Sequence, residues 1–454
     1  MSKSLMANNK PLFQTFILFV LPLIATNILQ NLSGTINTIF VGQMLGVHAV
    51  AAIAVFFPIL FSMMAFIIGL SSGASVLVGQ AWGAKDLAKV RKVVGTTLFM
   101  TLILGTCIAI LGGTFTPQIV QFLGVPLDVQ HLSIPYVRAM LFGSPLIFIY
   151  IIYTSLLRGV GDSLTPLFAL IMTCLIGLVV TPTLIKGYLG LPQLGTMAPA
   201  VASILSNIAV LIFLILYLNY KNHALKPNLA LLKDIRFNRK LGPQVLKLGI
   251  PTGIQMITTS LSGLVIMRLI NSFGANATAA YGAINQVMNY IQFPTLSVAI
   301  AASIFASQAI GAGKSDQLEQ VTKTAILTSV GITGTLVVIA YISADHLLQL
   351  FLTDPQVIVL GKTLLYTVLW SILFFGMSTV FSSIMRASGT VNIPMLINIG
   401  TILCIELPCA YIFSHFFGLQ GIWVAYALSF VCLSVLQYGY YRFVWKKKPI
   451  QRLV

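Results

Sequence analysis

The chain has 454 residues, of which 57% are hydrophobic and only 8% are charged. Soluble globular domains carry about a quarter of charged residues, so this composition excludes an ordinary soluble protein. A net charge of +17 would suggest nucleic-acid binding in a soluble domain. Lysines and arginines held at the cytoplasmic face of a membrane protein explain it better. We therefore predict a protein that crosses the bilayer several times and does not bind nucleic acid.

Apolar stretches of about 20 residues, enough to cross a hydrocarbon core of about 30 Å, recur along the whole chain. They lack the alternation of a transmembrane β-strand and predict helices. We expect an all-α integral membrane protein with twelve spans. To within several residues, these lie at about 11–41, 48–78, 90–115, 131–155, 165–186, 197–220, 245–273, 277–309, 321–343, 357–385, 393–414 and 421–445.

Two loop sequences occur twice at one offset. The stretch Arg158-Gly-Val-Gly-Asp-Ser-Leu-Thr-Pro166 matches Arg386-Ala-Ser-Gly-Thr-Val-Asn-Ile-Pro394, since 386 − 158 = 228. The stretch Gln80-Ala-Trp-Gly-Ala84 matches Gln308-Ala-Ile-Gly-Ala312, since 308 − 80 = 228. This indicates an internal duplication. With six spans in each half, both halves enter the membrane from the same side and form parallel repeats. We predict an N-terminal lobe at 1–220, a cytoplasmic linker at 221–244 and a C-terminal lobe at 245–454.

The repeated arginine loops are candidate functional elements. Gly161 and Gly389 would permit tight helix-to-helix turns before Pro166 and Pro394. The side chains of Arg158 and Arg386 would reach lipid headgroups or the C-terminal ends of helices. These loops are either connectors copied by the duplication or gating contacts between the lobes.

The basic residues predict the orientation of the chain. With the N-terminus in the cytoplasm, cytoplasmic segments hold all but four of the 26 lysines and arginines, Lys3 and Lys10 among them. The four exceptions are Arg138, Lys186, Arg268 and Lys362. The opposite orientation would invert this asymmetry, so both termini are predicted to be cytoplasmic. No cleavable signal peptide is evident before the first span.

Glu406 is the acidic residue that falls in the middle of a predicted span, whereas Asp128 and the other acids fall in loops or at span ends. A carboxylate in hydrocarbon is costly, so Glu406 is a candidate ion- or proton-coupling residue. Alternatively, it could hydrogen-bond backbone that Pro408 leaves unpaired. Arg268 could extend to the interface, pair with Glu406 or meet an anionic group of a substrate.

Stripes of polar side chains follow one face of three predicted spans. They comprise Asn27, Asn31, Gly34, Asn37 and Thr38 in the first span, Gln255, Thr259 and Ser262 in the seventh, and Asn285, Asn289 and Gln292 in the eighth. Such stripes either join helices through hydrogen bonds or line a substrate cavity. The five cysteines show no metal-ligand spacing and are expected to be small buried hydrophobes. The sequence contains no paired carboxylates or clustered histidines that would indicate an enzyme. It contains no phosphate-binding loop that would indicate direct use of ATP.

The repeated loops, together with Asn37-Thr-Ile-Phe-Val-Gly42, resemble the multidrug and toxic compound extrusion (MATE) family. This family belongs to the multidrug/oligosaccharidyl-lipid/polysaccharide flippase superfamily, and the resemblance to bacterial members covers essentially the whole chain. It implies a V-shaped, two-lobe transporter in the bacterial inner membrane, which we expect to be a monomer. It also implies export of amphipathic small molecules by antiport with H⁺ or Na⁺ through alternating access, without a cofactor.

The chain departs from this family at its usual membrane acids. Asn37 stands where members usually have aspartate, and Thr259 and Phe375 replace a glutamate and an aspartate of one bacterial branch. Gly177 and Thr181 replace an asparagine and an aspartate of another branch. The resemblance therefore does not supply the coupling residues of this chain. The alternative function is a flippase or exporter of a lipid-linked or other specific metabolite with atypical coupling.

Overall fold

The computed structural model describes Leu5 and residues 11–454, apart from the side chains of Val47, Asp128 and Leu189. Lys3, Lys10 and the carboxylate of Asp128, which entered the sequence-based predictions, thus lie outside the described residues.

Twelve helical segments of the described chain are long and apolar enough to cross a membrane, as the sequence predicts. They are α1 Leu12–Leu45, α2 His48–Gly83, α3 Leu87–Thr114, α4 Val129–Gly159, α5 Leu164–Lys186, α6 Gly195–Tyr220, α7 Leu241–Asn271, α8 Ala275–Gly311, α9 Ser315–Ile342, α10 Pro355–Leu369 with Ile372–Ala387, α11 Asn392–Phe417 and α12 Leu419–Lys447. The two parts of α10 are bent by 41°. Shorter helices cover Thr116–Phe122, Leu229–Asp234 and Ala344–Gln349.

The helix bounds carry the same offset as the repeated loops. Segment α3 maps onto α9 at both ends, since 87 + 228 = 315 and 114 + 228 = 342. The start of α5 maps onto the start of α11, since 164 + 228 = 392. The copies differ where proline differs: α2 is interrupted just before Pro58, which lies in the first turn of Phe57–Gly83. The equivalent position of the uninterrupted α8 is Gln286, since 58 + 228 = 286.

The chain packs as two compact units, one formed by Ala25–Ile250 and one by Pro251–Val454 with Leu5–Ile24. The first half of α1 thus belongs to the second unit, where the ring of Phe16 lies 5.1 Å from that of Phe305 on α8. Both boundaries fall near prolines, Pro22 in α1 and Pro251 in α7. Proline lacks the N–H of the helical ladder and bends a helix.

Glycines set the packing of α2 against the first part of α7 within the first unit. Gly69 and Gly73 lie four residues apart, the small-xxx-small spacing that lets membrane helices approach closely. A Cβ added to Gly73 would lie 2.4 Å from the carbonyl oxygen of Val245. A Cβ added to Gly249 would lie 2.6 Å from the carbonyl oxygen of Gly69. The two helices therefore meet backbone to backbone.

The linker that follows α6 also packs on the first unit. The buried hydroxyl of Tyr153 on α4 donates a hydrogen bond to the carbonyl of Leu225. A Cβ added to Gly95 of α3 would lie 2.1 Å from the carbonyl oxygen of Asp234. Residues of the predicted linker 221–244 are therefore part of a compact unit with helices of the first repeat.

The surroundings of His223 predict that the packing of this linker depends on pH. Burial lowers the pKa of His223, although the carboxylate of Asp162, 3.6 Å from its Nε2, opposes that shift. The folded protein thus binds the proton less well than the unfolded chain, whose histidine pKa is about 6.5. The contribution to stability is complete above that pH and falls as the pH drops toward the folded pKa.

We therefore expect thermal stability to decrease on acidification from about pH 7.5 to 5.5, and to decrease less in His223→Gln. Melting temperatures in detergent at both pH values, compared with those of the exposed-histidine variant His346→Gln, provide the test. Equal pH dependence in wild type and His223→Gln would contradict this assignment.

Candidate functional site

Glu406 lies in an irregular turn of α11. Residues Ile402–Glu406 form a π-helical segment, and Pro408 follows two positions later. Proline has no N–H to donate to the carbonyl four residues before it, here Cys404, so the regular ladder cannot continue through this turn. Single π-turns inside α-helices occur often at functional sites. The sequence around Pro408 thus shapes the backbone that presents Glu406.

The carboxylate of Glu406 is buried, with only 7% of the residue exposed. Its Oε1 accepts a hydrogen bond of 2.6 Å from Ser262 Oγ of α7. Its Oε2 accepts one of 3.3 Å from Ser429 Oγ of α12. All three residues belong to the second unit. Glu406 therefore connects three helices. The alternative that it hydrogen-bonds backbone left unpaired by Pro408 does not account for these two bonds to other helices.

The sequence identified only part of this cluster. Ser262 is a member of the predicted polar stripe of α7, three residues after Thr259. Ser429 carries no sequence signal, because it lies 23 residues beyond Glu406 on another helix. Only the packing of α11 on α12 brings the two together.

Arg268 does not pair with Glu406 in this structure. Its side chain is exposed, and it forms no ion pair with any described acidic side chain. The described residues also contain no group of three or more His, Cys, Asp or Glu that could hold a metal ion. The polar neighbours of Glu406 are thus hydroxyl groups rather than charges.

Some side chains of the polar stripes donate hydrogen bonds to backbone carbonyls of their own helix. Asn27, Asn31 and Asn37 are partly buried on α1, and Asn31 Nδ2 donates to the carbonyl of Asn27 at 2.8 Å. On α7, Gln255 is partly buried and Thr259 is exposed, and Thr259 Oγ1 donates to the carbonyl of Gln255 at 3.0 Å. These two bonds use one N–H of the Asn31 amide and the hydroxyl of Thr259.

On α8, Asn285 is partly buried and Asn289 is exposed. The stripe on α1 belongs to the first unit, while those on α7 and α8 belong to the second. The assignment of all three stripes to a substrate cavity stays a prediction.

The positions that replace the family's acids have different surroundings. Thr181 is buried in α5, and a Cβ added to Gly177 would lie 4.0 Å from Ser206 Oγ. The ring of Phe375 in α10 lies 5.2 Å from that of Phe430 in α12. An aromatic contact therefore occupies the position at which one family branch carries an aspartate.

The repeated arginine loops share their backbone geometry. Gly161 and Gly389 have φ of 92° and 89°, left-handed values that glycine adopts without strain. Arg158 and Arg386 lie in the last turns of α4 and α10, where a cation interacts favourably with the helix dipole. Pro166 and Pro394 are buried in the first turns of the following helices. These features fit a helix connector, and the gating alternative stays a prediction.

The second arginine loop is covered by the C-terminal segment. Trp445 Nε1 donates to Ser388 Oγ at 2.9 Å, and Gln437 Nε2 donates to the carbonyl of Pro394 at 2.9 Å. A Cβ added to Gly389 would lie 2.9 Å from the side chain of Leu453. Contacts from α12 and the chain after it thus hold this loop.

The expectation that the cysteines are buried was wrong for two of them. Cys107 and Cys404 are exposed on α3 and α11, and among the five only Cys174 is fully buried. In a bilayer, apolar side chains on the outer surface of a bundle face lipid rather than water, so apolarity does not distinguish core from surface.

The comparisons with known proteins agree with the duplicated architecture. The MatE family model matches residues 22–183 and again residues 251–412, an offset of 251 − 22 = 229. The two matches together span more than half of the chain. The chain belongs to the MATE family.

Relatives of this MATE protein match nearly its whole length. It is 41% identical over 449 residues to the probable multidrug resistance protein YoeA of Bacillus subtilis, covering 98% of this chain and 97% of the relative. It is 24% identical to the multidrug export protein MepA of Staphylococcus haemolyticus, covering 95% and 93% of the two chains.

Solved MATE structures share its fold. A mutant of the Vibrio cholerae MATE transporter VcmN aligns with a TM-score of 0.89 at 18% identity, over 96% of this chain and 98% of that one. A transporter of the same superfamily from Pyrococcus furiosus, described as having a binding pocket of reverse polarity that suggests a different function, aligns with a TM-score of 0.88 at 21% identity, covering 97% and 98% of the chains.

Proposed function

We propose that this MATE protein is a secondary active efflux transporter that exports amphipathic drugs or toxic organic compounds. Export would occur by antiport with protons or sodium ions through alternating access. The observation that carries this proposal is the 41% identity, over 98% of the chain, to a probable multidrug resistance protein. The twelve spans in two repeats, which suit secondary transporters, support it.

The proposed location is the plasma membrane of a bacterium, with both termini in the cytoplasm, and the protein would act as a monomer. The bacterial origin of the relatives supports this location. The basic residues of the linker and of the segment after α12 support the orientation, because positive charge collects at the cytoplasmic face.

A second candidate is a flippase or exporter for a lipid-linked or other specific metabolite. Its support is the loss of the family's usual acids at Asn37, Thr259 and Phe375, since a cavity without acids attracts organic cations less. The Pyrococcus furiosus neighbour shows that proteins of this fold can differ in pocket polarity.

Everted membrane vesicles test the choice between the two. With an imposed proton gradient, we expect an added amphipathic cation to dissipate the gradient and to accumulate inside vesicles that contain the protein. A parallel series with a sodium gradient reports the other ion, and vesicles without the protein are the control. Absence of drug movement with either gradient would contradict drug antiport and favour the second candidate.

A further inference from the structure

We propose that Glu406, Ser262 and Ser429 form a proton-binding site in the second unit, and that the ion exchanged is H⁺ rather than Na⁺. This inference rests on the proposed antiport, and it adds the identity of the ion, the residues that bind it and the helices that respond.

The first argument is the position of Glu406 in its span. It lies 14 residues after the start of α11 and 11 before its end, since 406 − 392 = 14 and 417 − 406 = 11. An ionisable residue at such depth is costly and marks an ion pathway or a proton relay. Other described acids lie near helix ends, where Asp86 and Asp354, for example, accept hydrogen bonds from backbone N–H groups.

The second argument is the kind of ligand that surrounds the carboxylate. A hard metal cation needs several oxygen atoms whose lone pairs point at it. Here the two hydroxyls instead point their hydrogens at the carboxylate, and the 2.6 Å between Ser262 Oγ and Glu406 Oε1 leaves no room for an ion between them. Apolar residues lie about one helical turn from each member of the site, since Ile266, Ala410 and Ala425 are buried four residues from Ser262, Glu406 and Ser429. A proton needs no such shell, so the site fits H⁺.

The third argument concerns charge. No described cation forms an ion pair with Glu406, so nothing holds the carboxylate permanently ionised. Tyr281 of α8 and Tyr426 of α12 pack against the same apolar cluster as Ile266, Ala410 and Ala425, and neither brings a positive charge. The other titratable groups of the three helices are Lys247 and Arg268 on α7, Cys404, Cys409, Tyr411 and His415 on α11, and Cys432, Tyr438, Tyr440, Tyr441, Arg442, Lys446 and Lys447 on α12.

Protonation changes how α11 is held. The ionised carboxylate accepts from Ser262 and Ser429 at once and so joins α11 to both α7 and α12. A protonated acid gains an O–H that needs an acceptor, and its neutral hydroxyl oxygen accepts more weakly than a carboxylate oxygen, so one of the two serine bonds is weakened or reversed. The change occurs at the π-helical segment Ile402–Glu406. Loading a proton would thus loosen α11 from one of its partners.

The experiment compares wild type with Glu406→Gln, Ser262→Ala and Ser429→Ala. The matched control is Asp316→Asn, an exposed acid at the start of α9 that undergoes the same acid-to-amide change. For each purified protein, binding of a fluorescent amphipathic cation is measured, and a pH dye records proton release on binding. Drug-dependent dissipation of a proton gradient in everted vesicles is measured in parallel, and melting temperatures confirm that each variant is folded.

We expect wild type and Asp316→Asn to release protons and dissipate the gradient, and Glu406→Gln to bind drug without doing either. Either serine variant should shift the pH midpoint of proton release. If Glu406→Gln exports drug and releases protons like wild type, the site is wrong while the efflux function stands. Drug export that a sodium gradient drives and a proton gradient does not would overturn the assignment of the ion.

If the protein moves no drug, the proposed function is contradicted. The proton-binding site can still be tested without transport, by infrared spectroscopy. On acidification, the carbonyl band of a protonated carboxylic acid should appear in wild type and in Asp316→Asn but not in Glu406→Gln. A band that persists unchanged in Glu406→Gln would overturn the inference.

Discussion

Replacing Gly73 by valine is expected to destabilise the protein strongly. A Cβ at this position would lie 2.4 Å from the carbonyl oxygen of Val245 and 3.0 Å from the backbone nitrogen of Gly249. Backbone atoms cannot rotate away as a flexible side chain can, so α2 and α7 would have to separate. Overpacking of this kind costs about 2 kcal/mol or more. Thermal melting in detergent, followed by size-exclusion chromatography, measures the effect.

The control is Gly263→Val on α7, where an added Cβ meets nothing within 4 Å. It introduces the same β-branched residue into a helix, so the two variants share the loss of helix propensity. Gly263→Val should melt close to wild type, and Gly73→Val well below it. Equal melting temperatures for the two variants would show that the close approach at Gly73 does not stabilise the fold.

Replacing Gly95 by valine is expected to release the linker from the first unit. A Cβ at Gly95 would lie 2.1 Å from the carbonyl oxygen of Asp234 and 3.0 Å from the nitrogen of Ile235. The linker backbone would have to lift from α3. If the free energy of detaching the linker falls by about 1.4 kcal/mol, the fraction of molecules with a detached linker rises roughly tenfold. The rate of proteolysis follows that fraction when detachment is fast compared with cleavage. Trypsin cleavage after Lys233 or Arg236 should accelerate accordingly.

Gly331→Val on α9 is the control for this measurement, since an added Cβ there meets nothing within 4 Å. Its linker should be cleaved at the wild-type rate. If Gly95→Val is cleaved no faster than Gly331→Val, the linker does not depend on Gly95 for its position.

The number and type of the spans were predictable because they depend on local properties. The predicted span at about 321–343 corresponds to α9, observed at Ser315–Ile342. A run of apolar residues must satisfy its backbone within one helix in a bilayer, so its length and composition suffice to identify it. The duplication was also predictable from the sequence, because two loop motifs recur at one spacing of 228 residues, and the two MatE matches at 22–183 and 251–412 have nearly the same offset.

The division of the chain into packing units was less predictable. The pattern of α1 gives no sign that its first half packs in the second unit, where Phe16 contacts Phe305. Nor does the polar composition of 221–244 indicate that this stretch lies against Gly95 and Tyr153. Such contacts depend on helices far apart in the chain, and the hydropathy of a segment does not encode its partners.

The sequence by itself determined that this protein is a duplicated, twelve-span membrane protein resembling MATE transporters, with one acid in mid-span. The length of each span, the 228-residue offset and the position of Glu406 within its span can all be read from the order of residues along the chain. Only the tertiary structure decided that Ser262 and Ser429 donate to Glu406 while Arg268 stays exposed and apart. The physical reason is that a buried carboxylate is satisfied by whichever donors the packing of helices brings within hydrogen-bonding distance, and that packing is set in three dimensions.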